Sequence, residues 1–144
     1  MGFWKKLLGQ DEDAVDYYEE GVSLLGSGKY HEALTSLRLA LRDTPDDSAV
    51  LQQMAIVYTR IGMSDEAMRT YRKVLANDDQ AAGAHYGLAF LLLRDGKPEE
   101  AMQHLRAFLA EPPDGVDATR HIEHAKSTLQ ELETGGDAAK GAIP

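Results

Sequence analysis

Residues 58–67 read YTRIGMSDEA: an aromatic residue, a glycine that closes one apolar stretch, and a Glu-Ala pair that opens the next. The same frame stands 34 residues earlier as LLGSGKYHEA (24–33) and 34 residues later as LLRDGKPEEA (92–101). Gly28, Gly62 and Gly96 therefore share one phase, as do Ala33, Ala67 and Ala101, each preceded by Glu32, Glu66 or Glu100. A fixed period in the range of roughly 20 to 50 residues marks stacked supersecondary units rather than one globular core. The blocks run 14–47, 48–81 and 82–115, with a partial fourth from 116. An array of this kind presents surface rather than chemistry.

Other positions keep the same phase. The first block carries Tyr17, Gly21, Leu24, Tyr30, Ala33, Leu37, Ala40 and Pro45; the second Leu51, Met54, Ala55, Tyr58, Ala67, Tyr71 and Val74; the third His85, Leu88, Ala89, Leu92, Ala101, Leu105 and Pro113. Together these resemble the tetratricopeptide repeat, from residue 14 to about 133. Glu20, Asp79 and Phe108 depart from that pattern, which has a leucine, a proline and a small residue there. The resemblance implies an all-α fold: an α-solenoid of three helix-turn-helix repeats plus a C-terminal capping helix, wound right-handed around a concave groove. It does not name a ligand.

Register shows where the stack begins and ends. Val50, Met54, Val57 and Ile61 in the second block, and Ala84, Leu88 and Leu91 in the third, form one apolar stripe at helical spacing. In the family that stripe faces the preceding repeat. Its counterpart in the first block, Asp16, Glu20, Ser23 and Ser27, is polar, so nothing is expected to stack before it. In the partial block, Ala118, Ile122, Ala125 and Leu129 continue the stripe, whereas Thr119, Glu123 and Lys126 would solvate the outer side. The expectation is a cap helix within 116–133, closing a repeat domain over 14–133. Gly21, Ala55 and Ala89, with Ala33, Ala67 and Ala101, stand where paired helices should cross most closely, and larger side chains there would overpack. Gly28, Gly62 and Gly96 end each first helix, and Pro98 opens one.

A chain of 144 residues with formal net charge −9 and pI near 4.9 would repel a phosphate backbone, so nucleic acid is not the expected partner. With no cysteine, disulfides, thiol nucleophiles and cysteine metal sites are excluded. No apolar run approaches the roughly 18 residues of a membrane span, and Phe3 to Leu8 is too short for a signal-peptide core. The cytoplasm is the default location.

The resemblance implies that the concave groove is lined by the first helices. Its candidate residues are Val15, Tyr18, Val22 and Leu25; Ala49, Gln52, Ile56 and Thr59; and Gly83, Tyr86, Phe90 and Leu93. Arg60, Arg94, Arg120 and His124 would stand near the edge. Family members that clamp chaperone C-termini use lysines and asparagines there; this chain has none. What remains is an apolar and aromatic strip with an arginine rim, either a partner-binding surface or a seam packed on neighbouring helices.

Before the repeats, residues 1–13 form an amphipathic arm in which Phe3, Trp4, Leu7 and Leu8 share a helical face opposite Lys5 and Lys6. Three readings stand open: a weak anchor on anionic lipid, packing into its own or another copy's groove, and a disordered end. Lys6 occupies the position a myristoylation site needs as serine or threonine. Residues 134–144 lack periodicity and are expected to be flexible.

Catalysis has no foothold: no phosphate loop, nucleophile motif or zinc spacing occurs. The histidines look scattered, and only His121 and His124 share a helix face. Without a third ligand placed by the sequence they read as exposed cap-helix residues, with no metal or cofactor. The expected function is a non-enzymatic adaptor that takes a protein partner's peptide or helix in the groove. The alternatives are a homo-oligomeric scaffold whose groove receives another copy's arm, or a weak membrane-surface recruiter.

Overall fold

The computed structural model describes residues 15–142, so the proposed arm of Phe3, Trp4, Leu7 and Leu8 lies outside the described residues. Among the described residues seven helices follow one another: α1 (Tyr17–Gly26), α2 (Tyr30–Asp43), α3 (Ser48–Arg60), α4 (Ser64–Asn77), α5 (Ala82–Arg94), α6 (Pro98–Ala110) and α7 (Val116–Ala142). They pair as α1/α2, α3/α4 and α5/α6, each pair packs on the next, and α7 closes the stack against α6. This is the helical solenoid that the resemblance implies.

The turns explain the period. Gly28, Gly62 and Gly96 adopt φ of 77°, 82° and 75°, a left-handed conformation that a Cβ would strain. In each turn the residue after the glycine donates its N–H back to the helix: Lys29 to Leu24 O (2.9 Å), Met63 to Tyr58 O (2.8 Å) and Lys97 to Leu92 O (2.9 Å). The glycine N–H bonds Leu25, Thr59 or Leu93. Two orphan carbonyls are satisfied at each helix end, and the chain is redirected into the second helix without a side-chain cap. Asp16 and Asp47 cap α1 and α3 from their side chains, and Pro98 occupies the first turn of α6.

Packing follows the stripes. Val50, Met54, Val57, Ala84, Leu88 and Leu91 are all buried, whereas Asp16, Glu20, Ser23 and Ser27 are exposed, so α1 presents a polar end face. Ala118 and Ala125 are buried, Ala125 in a cluster with Leu105 and Phe108 of α6, while Thr119, Glu123 and Lys126 face solvent. Ala33, Ala55, Ala67, Ala89 and Ala101 are completely buried. A Cβ on Gly21 would lie 2.7 Å from Leu37 Cγ. Phe108, standing where the pattern has a small residue, is itself buried in a second cluster with Ala89, Leu105 and Ala125, where it fills the joint between the third repeat and the cap.

The last helix differs from expectation. Periodicity ends it at 133 and leaves a flexible tail, but α7 continues to Ala142. Glycines at 135 and 136 disfavour a helix by about 1 kcal/mol each relative to alanine. No proline stands between Pro113 and Pro144 to stop it, however, and Ala138, Ala139 and Lys140 are helix formers.

Candidate functional site

The first helices form an inner layer, with α1 touching α3 and α3 touching α5. Between the second repeat, the third repeat and the cap this layer opens into a cleft of about 630 Å³. Ile56, Thr59 and Arg60 of α3 form one wall, and Tyr86, Phe90, Leu91 and Arg94 of α5 the other. Tyr71 of α4, Phe108 of α6, Pro113 and His121 complete it. A hollow of about 530 Å³ shares Ile56 and Arg60 and continues toward the first repeat past Leu25 and Tyr30.

Tyr71 reaches the cleft floor through a gap in α5. A Cβ on Gly87 would lie 2.4 Å from the Tyr71 ring, so only glycine lets that ring pass. The ring is 5% exposed. Burial pushes its hydroxyl up to about 12, against the smaller opposing pulls of its Thr59 hydrogen bond and the Arg60 charge. Thr59 in turn donates to Ala55 O at 2.8 Å. Gly83, one turn before Gly87, leaves room for the Gln52 amide, whose Oε1 would be 2.6 Å from a Cβ there.

Aromatic rings line the cap side. The Tyr86 ring lies 4.8 Å from Phe90, 5.2 Å from Phe108 and 4.9 Å from His121, centroid to centroid. His124 stacks on Phe90 at 4.6 Å and 8°, and the Tyr86 hydroxyl bonds its Nδ1 at 2.7 Å. Burial raises the Tyr86 pKa, so the phenol stays protonated at neutral pH, and the His124 tautomer sets which partner donates. His121 and His124 are exposed as read from sequence, but their rings engage aromatics rather than converging on an ion.

Arg60 and Arg94 end α3 and α5 one repeat apart, both exposed, where a cation also complements the helix C-terminus. Among the described residues neither belongs to an ion pair, and the described lining of the cleft contains no carboxylate.

The structure gathers seven of the candidate groove residues, Ile56, Thr59, Arg60, Gly83, Tyr86, Phe90 and Arg94, around one cleft. It places others elsewhere. Tyr18 sits by a separate hollow with Val15 and Ala49, and Leu93 packs against the main core. Val22 and Arg120 are exposed outside the cleft, Gln52 is spent against Gly83, and His124 backs the wall through Phe90. Tyr71, Phe108, Pro113 and His121 were not anticipated as lining. They come from second helices, a loop and the cap, and the glycines at 83 and 87, spaced i, i+4 on α5, were the available signal of that opening.

The family model for the tetratricopeptide repeat matches residues 24–83 and 62–121. The chain belongs to the tetratricopeptide repeat family. This repeat protein is 38% identical over 69 residues to the photosystem I assembly protein Ycf3 of Synechococcus sp., a stretch covering 46% of this chain and 40% of that protein. It is 33% identical over 75 residues to a TPR repeat-containing protein of Methanocaldococcus jannaschii, covering 52% and 13% of the two chains. The match thus spans less than half the length of these curated relatives. Among solved structures, the type III secretion chaperone SycD of Yersinia enterocolitica, in complex with a peptide of the translocator YopD, superposes with a TM-score of 0.77 at 18% identity, covering 88% of this chain and 99% of that one. A tetratricopeptide repeat protein of Parabacteroides merdae superposes with a TM-score of 0.69 at 21% identity, covering 88% and 49%. At such identities the likeness concerns the fold.

Proposed function

We propose that this tetratricopeptide repeat protein is a non-enzymatic binding module whose cleft takes an extended, acidic segment of a partner protein carrying at least one bulky apolar side chain. The observation behind this reading is the charge pattern. On a chain of net charge −9, two exposed arginines flank an aromatic cleft whose described lining has no carboxylate. The aromatic floor suits an apolar side chain, and the arginines, one repeat apart, suit carboxylates on either side of it. Its volume lies within the usual range of small binding clefts, roughly 300–1,000 Å³, too small for a whole helix about 10–12 Å across. Peptide capture by SycD in the same architecture supports this choice.

Selection of random peptides on the intact protein tests the reading. Enriched sequences should pair acidic residues with an aromatic or large aliphatic one, and their binding should weaken with added salt. Arg60→Glu with Arg94→Glu, at exposed positions, should keep the helical signal and lose these peptides by at least about 30-fold, since an arginine anchor is typically worth 2 kcal/mol or more. Enrichment of basic peptides, or unchanged affinity in the charge-reversed protein, would refute it. Concentration-dependent association abolished by the same substitutions would assign the cleft to a second copy instead.

A further inference from the structure

Outside the cleft, His85 of α5 and His104 of α6 share a hydrogen bond, with Nδ1 of one ring 2.9 Å from Nδ1 of the other. Their partners fix where the protons sit. His85 Nε2 lies 2.7 Å from the Asp79 carbonyl oxygen, which can only accept, so His85 carries its proton on Nε2 and offers a lone pair at Nδ1. His104 therefore donates from Nδ1. Its Nε2 faces the Glu100 carboxylate at 4.0 Å, to which Arg72 of α4 donates at 2.7 Å. One added proton fits this arrangement, on His104 Nε2 toward Glu100. A second can go only to His85 Nδ1, and two N–H groups would then face each other across the contact. The pair is peculiar to the third repeat. One period earlier the same positions hold Leu51 and Thr70, and two periods earlier Tyr17 and Ser36, residue types that keep their charge between about pH 5 and 8. At the α3/α4 crossing Leu51 is buried, and the Thr70 hydroxyl donates to Glu66 O at 2.8 Å.

We infer that the hydrogen bond between His85 and His104 is an acid-released latch between the two helices of the third repeat, closed while at least one ring is neutral and open once both are protonated. The surroundings work in the same direction. Burial, the His85 ring of α5 and Arg72 of α4 hold the His104 pKa below the ordinary imidazole value, against the pull of Glu100 on α6 itself. Lys97, at the start of α6, bears on Glu100, and the loop before α5 contributes the Asp79 carbonyl. His104 thus takes up a proton less readily in the native protein than in the unfolded chain, where imidazole ionises near about 6.5. Below that value the unfolded state binds more protons than the native one. The contribution of the latch to stability is therefore full above about pH 6.5 and is lost as the pH falls further. Because α5 carries Tyr86, Phe90 and Arg94 and α6 carries Phe108, opening the latch removes one tie between two walls of the cleft, whatever the cleft binds.

Grafting the second repeat's pair onto the third, as His85→Leu with His104→Thr, tests the latch on the intact protein. Urea midpoints of the wild type and the graft are compared from about pH 8 to about pH 5, with His31, His121 and His124 common to both. As the pH falls below about 6.5, the wild-type midpoint should drop relative to that of the graft. A difference between the two midpoints that stays constant over the whole range, or moves in favour of the wild type, would overturn the latch. If the graft fails to fold, nitrogen-15 spectra of the wild-type imidazoles decide. Near pH 8 they should show His104 with its proton on Nδ1 and His85 with its proton on Nε2. Both rings carrying the proton on Nε2 would mean that no hydrogen bond joins them, and the latch would be overturned.

Discussion

Ala67→Leu is expected to lower the unfolding free energy by about 1–3 kcal/mol through overpacking, with the loss read as a shift of the urea midpoint at unchanged slope. Ala67 is completely buried on α4 in the middle pair, among Val57, Tyr71 and Val74, which are themselves buried. Three extra carbon atoms find no vacant volume there, and either the α3/α4 crossing widens or side chains leave their rotamers. Because each repeat is stabilised by its neighbours, a middle lesion weakens two interfaces at once, and Ala67→Leu should cost more than the same change at Ala33 beside the polar end face. Arg69→Leu, two residues on, is the control. That side chain is exposed and, among the described residues, pairs only with Glu66 one turn away, a contact worth little, so its effect should stay within about 0.5 kcal/mol. Equal, small losses at both positions would contradict the register.

Alkali should reveal the buried phenol on the cleft floor. The Tyr71 hydroxyl is pushed up to about 12 by burial, while in the unfolded chain it ionises near its ordinary value of about 10. Between those two values the unfolded state holds fewer protons than the native one, so stability contributed by the neutral phenol is full below about pH 10 and falls as pH rises toward 12. A shift of this size corresponds to roughly 2–3 kcal/mol. Tyr71→Phe removes that dependence. The stability of the wild type relative to Tyr71→Phe should therefore fall by roughly 2 kcal/mol between pH 8 and pH 12. Curves that stay parallel would mean that the ring is solvated and the cleft floor is not where Gly87 puts it.

How far the sequence reached depended on what each feature rests upon. The helix pairs were legible because their punctuation is local: a left-handed turn needs a glycine at 28, 62 and 96, and the burial stripe of each first helix repeats at helical spacing. The polar stripe of α1 marked the end of the stack for the same reason. Along the inner layer the reading was coarser. The family resemblance, carried over by phase, put Tyr18, Gln52 and Leu93 on one strip with Tyr86 and Phe90. How closely α1, α3 and α5 approach then decided that Leu93 packs in the core and that Gln52 fills the space beside Gly83. Tyr71 and Phe108 enter the cleft from second helices, so no inspection of first helices could find them. The contact between His85 and His104 joins positions 19 residues apart across a helix crossing, geometry that neither helix encodes by itself.

The central claim is that the cleft between the second and third repeats is the binding surface, and backbone amide shifts during titration with a selected acidic peptide test it most directly. The account predicts changes concentrated at Arg60, Gly83, Gly87, Phe90 and Arg94, growing to saturation with the peptide and absent in the Arg60→Glu, Arg94→Glu protein. Changes confined to exposed positions of the second helices, around Arg38, Arg69 and Gln103, would contradict it.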